Sequence, residues 1–190
     1  MKFKTRDMVL ISLFTALTAV GAFIQIPTPL VSFSLQFLFC AYSGIFLGSK
    51  YGLYSQLLYV GIGLAGVPVF TKGGGVSYVL QPSFGYILGL ILCAYIIGRI
   101  VEKMESISFT KLFLISVLGL MMLYIIGVPY LYLMFNRVAE NPMSFATAVK
   151  VGFLQYIVVD LAKCAVVAFT AVKIIPILRK SGYVNLADVK

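Results

Sequence analysis

The chain has 190 residues, of which 61% are hydrophobic and only 11% charged, with a net charge of +9 carried by 15 Lys and Arg against 6 Asp and Glu. So few charges cannot cover the surface of a soluble domain, and the apolar residues come in long blocks rather than amphipathic stripes, so the fold class expected is an all-α integral membrane protein. A soluble enzyme and a nucleic-acid-binding protein are both disfavoured, because the cations lie in short loops and tails where they set membrane orientation.

Taken in chain order, the first apolar segment covers about residues 8–26 behind the basic start "MKFKTRDM". It is long enough to span, and no small-residue cleavage site closes it, so it reads as a helix rather than a removable signal. Small residues recur at a spacing of four, at Ser12 and Ala16, Thr15 and Ala19, and Thr18 and Ala22. Such a face packs closely against another helix, either inside the bundle or on a separate membrane subunit.

Segments two and three, about 34–48 and 51–66, are short and follow the proline-bounded turn "IPTPLVSF". Gln36 opens the second, with its amide available either to a ligand at the outer mouth or to a neighbouring helix. Then comes "VFTKGGGVSYVLQPSFGYILG", Val69 to Gly89. The glycines Gly73, Gly74 and Gly75 permit positive φ and close backbone approach, which suits a flexible turn or a bared binding loop. Tyr78, Gln81 and Tyr86 beside them supply aromatic walls and an amide of the kind a small organic ligand needs, although tyrosines also populate membrane interfaces.

Segments four to six cover about 83–100, 112–135 and 145–178, so the expected architecture is a single domain, 1–190, folded as a bundle of six transmembrane helices. With the N-terminus inside, the inner loops and tails hold Lys2, Lys4, Arg6, Lys50, Arg99, Lys103, Lys111, Lys173, Arg179, Lys180 and Lys190, against Lys72, Arg137 and Lys150 outside. That bias places both termini in the cytoplasm and the glycine-rich stretch on the outer side.

The last segment contains "QYIVVDLAKC", in which Asp160 and Lys163 stand three apart on one helical face with Tyr156 a turn earlier. An intramembrane ion pair is costly and adds little stability over apolar packing, so a ligand-binding role is favoured over a self-neutralising pair. The chain has no His, its three cysteines Cys40, Cys93 and Cys164 lack metal spacing, and Asp160 has no second intramembrane Asp beside it, which leaves an intramembrane enzyme with too few groups. No GxxxxGK[ST] phosphate loop is present, so any ATP-driven work needs a partner.

These features together resemble the BioY family, the biotin-specific S components of energy-coupling factor (ECF) transporters. The resemblance rests on Leu35 and Gln36 after the proline turn, "GLAGVPVF" at Gly63 to Phe70, the run Gly73 to Gly75 with Tyr78, "PSFGYILG" at Pro82 to Gly89, and the DxxK of Asp160 and Lys163. Ser77 and Leu90 depart from the family pattern. The resemblance implies a prokaryotic plasma-membrane protein that captures biotin outside and works with a transmembrane coupling subunit and two cytoplasmic ATPases. It implies no cofactor of its own, since ATP is used only by those partners. A different small vitamin is the competing ligand.

On the same resemblance, Ala16, Ala19 and Ala22 are candidates for docking on the coupling subunit. Asp160 would accept from ureido N–H, and Lys163 would donate to the ureido oxygen and neutralise Asp160. Gln36 and the backbone of Gly73 to Gly75 would add hydrogen bonds, while Tyr78, Tyr86 and Tyr156 would line the apolar part. A reversed pose, with Lys163 on the ligand carboxylate, stays open.

Overall fold

The computed structural model describes residues 4–28, 31–138 and 142–180. Pro29 and Leu30 of the proline turn, and Lys2 and Lys190 of the charge count, lie outside the described residues.

Helix α1 spans Thr5–Phe23 and leads into a two-residue antiparallel ribbon, β1 (Gln25–Ile26) paired with β2 (Phe33–Ser34). Helix α2, Gln36–Leu64, is followed by a 3₁₀ turn at Val76–Leu80 and then α3 at Phe84–Val101 and α4 at Phe109–Val138. A short α5 (Phe145–Val149), N-capped by Ser144, continues through a π-helical turn (Lys150–Leu154) into α6, Ile157–Lys180. Among the described residues four helical stretches, Thr5–Phe23, Phe84–Val101, Phe109–Arg137 and Phe145–Leu178, are long and apolar enough to cross a membrane.

The second and third apolar segments, expected as two helices, are the two helical arms of α2, which meet at Gly48, whose φ of 77° and ψ of −177° are not helical. The break reverses the chain. Gln56 Nε2 lies 3.2 Å from Ser43 Oγ, Gln36 Nε2 reaches Tyr59 Oη at 2.7 Å, and a methyl group on Gly52 would come within 3.1 Å of Gly44 Cα. The two arms therefore run antiparallel, at about 18 and 24 Å long by the α-helical rise.

Glu102, at the end of α3, holds this reversal by accepting from Ser49 N at 2.6 Å and from Ser49 Oγ at 2.9 Å. Gly98 lets α3 come that close, since a Cβ there would lie 2.6 Å from Ser49 Cα. Tyr51 donates to Asp7 at 3.1 Å, which brings the start of α1 to the same end of the molecule. Lys4, Arg6, Lys50, Arg99, Lys103 and Lys111 thus gather at one end, as their sequence spacing predicts.

The core runs between α2, α3, α4 and α6 through Ile45, Tyr59, Ile97, Leu112, Leu120, Leu131 and Ile175, each no more than 1% exposed. Large apolar side chains also cover the outside, among them Leu13 on α1, Leu114 and Ile125 on α4, and Val158 and Phe169 on α6. Apolar surface on that scale is unfavourable in water and suits a lipid environment.

Candidate functional site

At the end opposite the Gly48 reversal a cavity opens between the β2–α2 junction, the 3₁₀ turn, α3, α4 and α6. Its polar floor belongs to α6. Lys163 Nζ donates to Asp160 Oδ1 at 2.6 Å and to Ser34 O at 2.7 Å, and Tyr124 Oη donates to Asp160 Oδ2 at 2.5 Å. The two charged side chains are only 11% and 12% exposed. One donor therefore sits on each carboxylate oxygen, which leaves one lone pair per oxygen for an incoming donor and one ammonium N–H for an acceptor.

The aromatic residues form the walls. Tyr156 lies against Phe33 with ring centroids 4.3 Å apart, and its hydroxyl is tied to Thr28 and to the Val31 carbonyl of the segment that carries β2. Tyr86 packs edge-on to Tyr124 at 6.2 Å and donates to Gly152 O at 2.8 Å. That carbonyl lies in the π-helical turn, whose wider winding leaves backbone groups available to side chains. Tyr78, 3% exposed, closes the outer side with its hydroxyl on Thr71 at 3.0 Å. Gln36 lines the cavity while accepting from Ser34 Oγ at 2.9 Å and donating to Tyr59, which is the neighbouring-helix contact that its position also allowed.

Six of the ten ligand-site candidates thus meet in one cavity: Gln36, Tyr78, Tyr86, Tyr156, Asp160 and Lys163. The other four do not. Gly73, Gly74 and Gly75 are outside its lining because their backbone is bent around the end of α2. Gly73 N donates to Phe70 O at 3.2 Å, Gly75 N donates to Gly63 O at 2.7 Å, and a Cβ on Gly74 would lie 3.0 Å from Gly63 O and closer still to Val67 O. The N–H groups expected to meet a ligand at Gly73 and Gly75 are used within the chain. The glycines shape the site indirectly, by seating Phe70 against Tyr59 and Tyr78 at centroid distances of 5.4 and 4.6 Å. Gln81 is exposed at the C-terminal end of the 3₁₀ turn and also lies off the cavity.

The small-residue face of α1 divides in the same way. Ala16 is exposed and Ala19 half-buried, but Ala22 is fully buried, so it packs inside the bundle and cannot belong to a docking surface. Thr15 and Thr18 also turn inward, where Thr15 donates to Ser55 O at 2.9 Å and Thr18 accepts from Gln56 at 3.2 Å.

Tyr124, Phe33, Thr71 and Ser83 line the cavity without having been singled out from the sequence. Tyr124 left one signal, a lone hydroxyl amid "LMMLYIIGV" in the middle of an apolar helix. Among the described residues no three His, Cys, Asp or Glu side chains come together as a metal site would require.

Residues 1–180 match the BioY family. The "Probable biotin transporter BioY" of Lysinibacillus sphaericus is 41% identical over 186 residues, covering 98% of this chain and 95% of that protein. The "Biotin transporter BioY" of Thermotoga maritima is 37% identical over 171 residues, covering 89% and 95%. In fold the chain is similar to the crystal structure of an S-component for biotin from an ECF-type ABC transporter, with a TM-score of 0.80 at 23% identity over 94% of this chain and 95% of that one. The chain belongs to the BioY family.

Proposed function

We propose that this chain captures biotin on the outer side of the membrane and delivers it inward as the S component of an ECF-type transporter. The observation that carries the reading is the Asp160–Lys163 pair, held at the floor of an aromatic cavity by Tyr124 and Ser34. Biotin's ureido ring sets an N–H donor beside a strong carbonyl acceptor, matching the Asp160 carboxylate and the free ammonium N–H of Lys163. Each unsatisfied buried group costs about 1–3 kcal/mol, so a ligand lacking that ring would be rejected. Tyr78, Tyr86 and Tyr156 then enclose the thioether ring and aliphatic chain.

In this reading the two arms of α2 count as separate membrane segments, giving six transmembrane helices in one domain. The basic end faces the cytoplasm with both termini, and the cavity faces out. The host membrane is the plasma membrane of a prokaryote. The chain catalyses no reaction and needs no cofactor. A transmembrane coupling subunit and two cytoplasmic ATPases supply the energy, with the outward face of α1 around Ala16 and Ala19 as the docking surface.

Uptake of labelled biotin by cells deleted for their own biotin transporter, expressing this chain with its coupling subunits, tests the reading. Saturable uptake that an Asp160→Asn substitution abolishes is expected. Absence of uptake with the protein present in the membrane would overturn it.

A further inference from the structure

At the basic end of the molecule, away from the ligand cavity, a second groove lies between the close of α3 and the opening of α4. Two stripes of helical spacing form its sides. Ile100 and Lys103 stand three apart where α3 runs out, and Lys111, Leu114 and Ile115 stand at i, i+3 and i+4 on the first turns of α4. Because α3 arrives at this end and α4 leaves it, each stripe carries a lysine at the rim and apolar side chains nearer the middle of the bundle. The helical rise sets Leu114 about 4.5 Å deeper than Lys111. Leu114 is 60% exposed, so the apolar depth of the groove is open rather than packed.

The rim charges are not consumed inside the protein. Lys103 is exposed, and its side chain makes no hydrogen bond or ion pair among the described residues. Lys111 Nζ donates to Ser106 Oγ and Ser106 O, which holds the ammonium at the rim and leaves at least one N–H free. Glu105 is the one acid among the described lining residues, while its neighbour Glu102 is taken up by Ser49 and Arg99. The rim thus keeps a net positive charge above an apolar floor.

We propose that this groove binds an anionic phospholipid, with the headgroup phosphate between Lys103 and Lys111 and an acyl chain laid over Ile100, Leu114 and Ile115. A free phosphate would have no use for the apolar depth. A zwitterionic headgroup brings its own cation to the same two lysines, so the groove discriminates by net headgroup charge. The inference rests on the membrane embedding of the helices and is independent of the ligand assigned to the cavity.

The chain has no Trp, so Leu114→Trp puts a single fluorophore in the groove, and Ile125→Trp puts one on an equally exposed part of α4 outside it. Each protein is placed in vesicles of phosphatidylglycerol and phosphatidylcholine, with one lipid or the other brominated in its acyl chains so that contact quenches the fluorescence. Leu114→Trp is expected to report phosphatidylglycerol favoured by about threefold or more, and Ile125→Trp almost no preference. Adding Lys103→Gln and Lys111→Gln is expected to lower the groove's preference to the Ile125→Trp value, and adding Glu105→Gln instead is expected to raise it. The Glu105→Gln arm decides the matter if the double lysine variant does not reconstitute. Equal preferences at the two positions, or a groove preference that these substitutions leave unchanged, overturns the proposal. Lysine substitutions that release the coupling subunit without altering the lipid preference would assign the groove to that protein and overturn it as well.

Discussion

Lys163 donates to the backbone carbonyl of Ser34 at 2.7 Å while it pairs with Asp160, so the charged pair of α6 is fastened to the strand that introduces α2. Losing the ammonium therefore breaks two contacts and leaves a carboxylate buried with Tyr124 as its donor. Lys163→Ala is expected to lower thermal stability, whereas Lys163→Met combined with Asp160→Asn recovers much of it because no unpaired charge remains. The three cysteines are free and buried, so a fluorogenic thiol dye reports the unfolding directly. A double variant no more stable than Lys163→Ala would argue against this account.

The turn at Gly48 requires a positive φ, and Glu102 occupies the space a side chain would need. Gly48→Ala is expected to destabilise the protein by about 1–3 kcal/mol from the backbone conformation alone. Glu102→Gln weakens the bond to Ser49 N and is expected to lower the same thermal transition by a smaller amount. Unchanged melting in Gly48→Ala would show that the hairpin does not depend on this reversal.

The glycine loop and Gln81 separate shape from contact. Gln81→Ala is expected to leave biotin affinity within twofold, because the side chain is exposed and off the cavity. Gly74→Val is expected to weaken binding tenfold or more, because its side chain would strike the Val67 carbonyl and lift the loop that carries Tyr78. Isothermal titration of both variants checks the pair, and a strong effect of Gln81→Ala would place that amide on the ligand after all.

Much of this was legible in the sequence, and what escaped has physical causes. Asp160, Lys163 and Tyr156 share a face by simple helical spacing, and the cations at the reversal end sort by loop position. Tyr124 escaped because its partner lies 36 residues away on another helix, and one tyrosine in an apolar run is equally a core residue. The glycine loop misled because glycines that bare a backbone to a ligand and glycines that let it pack on its own chain look identical; only the bond from Gly75 N to Gly63 O tells them apart. The short second and third segments, read as two helices on either side of Ser49 and Lys50, are the two arms of α2 that meet at the non-helical Gly48.

The α1 surface yields a separable prediction. Ala16→Leu adds bulk on an exposed face and is expected to leave biotin binding intact while abolishing co-purification with the coupling subunit. Ala22→Leu adds the same bulk at a fully buried position and is expected to destabilise the fold by about 1–3 kcal/mol. Retained co-purification by Ala16→Leu would move the docking surface elsewhere.

The most direct measurement is equilibrium binding of biotin to the detergent-purified chain, stripped of co-purified ligand, with wild type beside Asp160→Ala and Lys163→Ala. One-to-one binding that each substitution weakens at least tenfold, about 1.4 kcal/mol, is the predicted result. Folded wild type that binds no biotin, or variants that bind it as tightly as wild type, would contradict the assignment of this cavity to biotin.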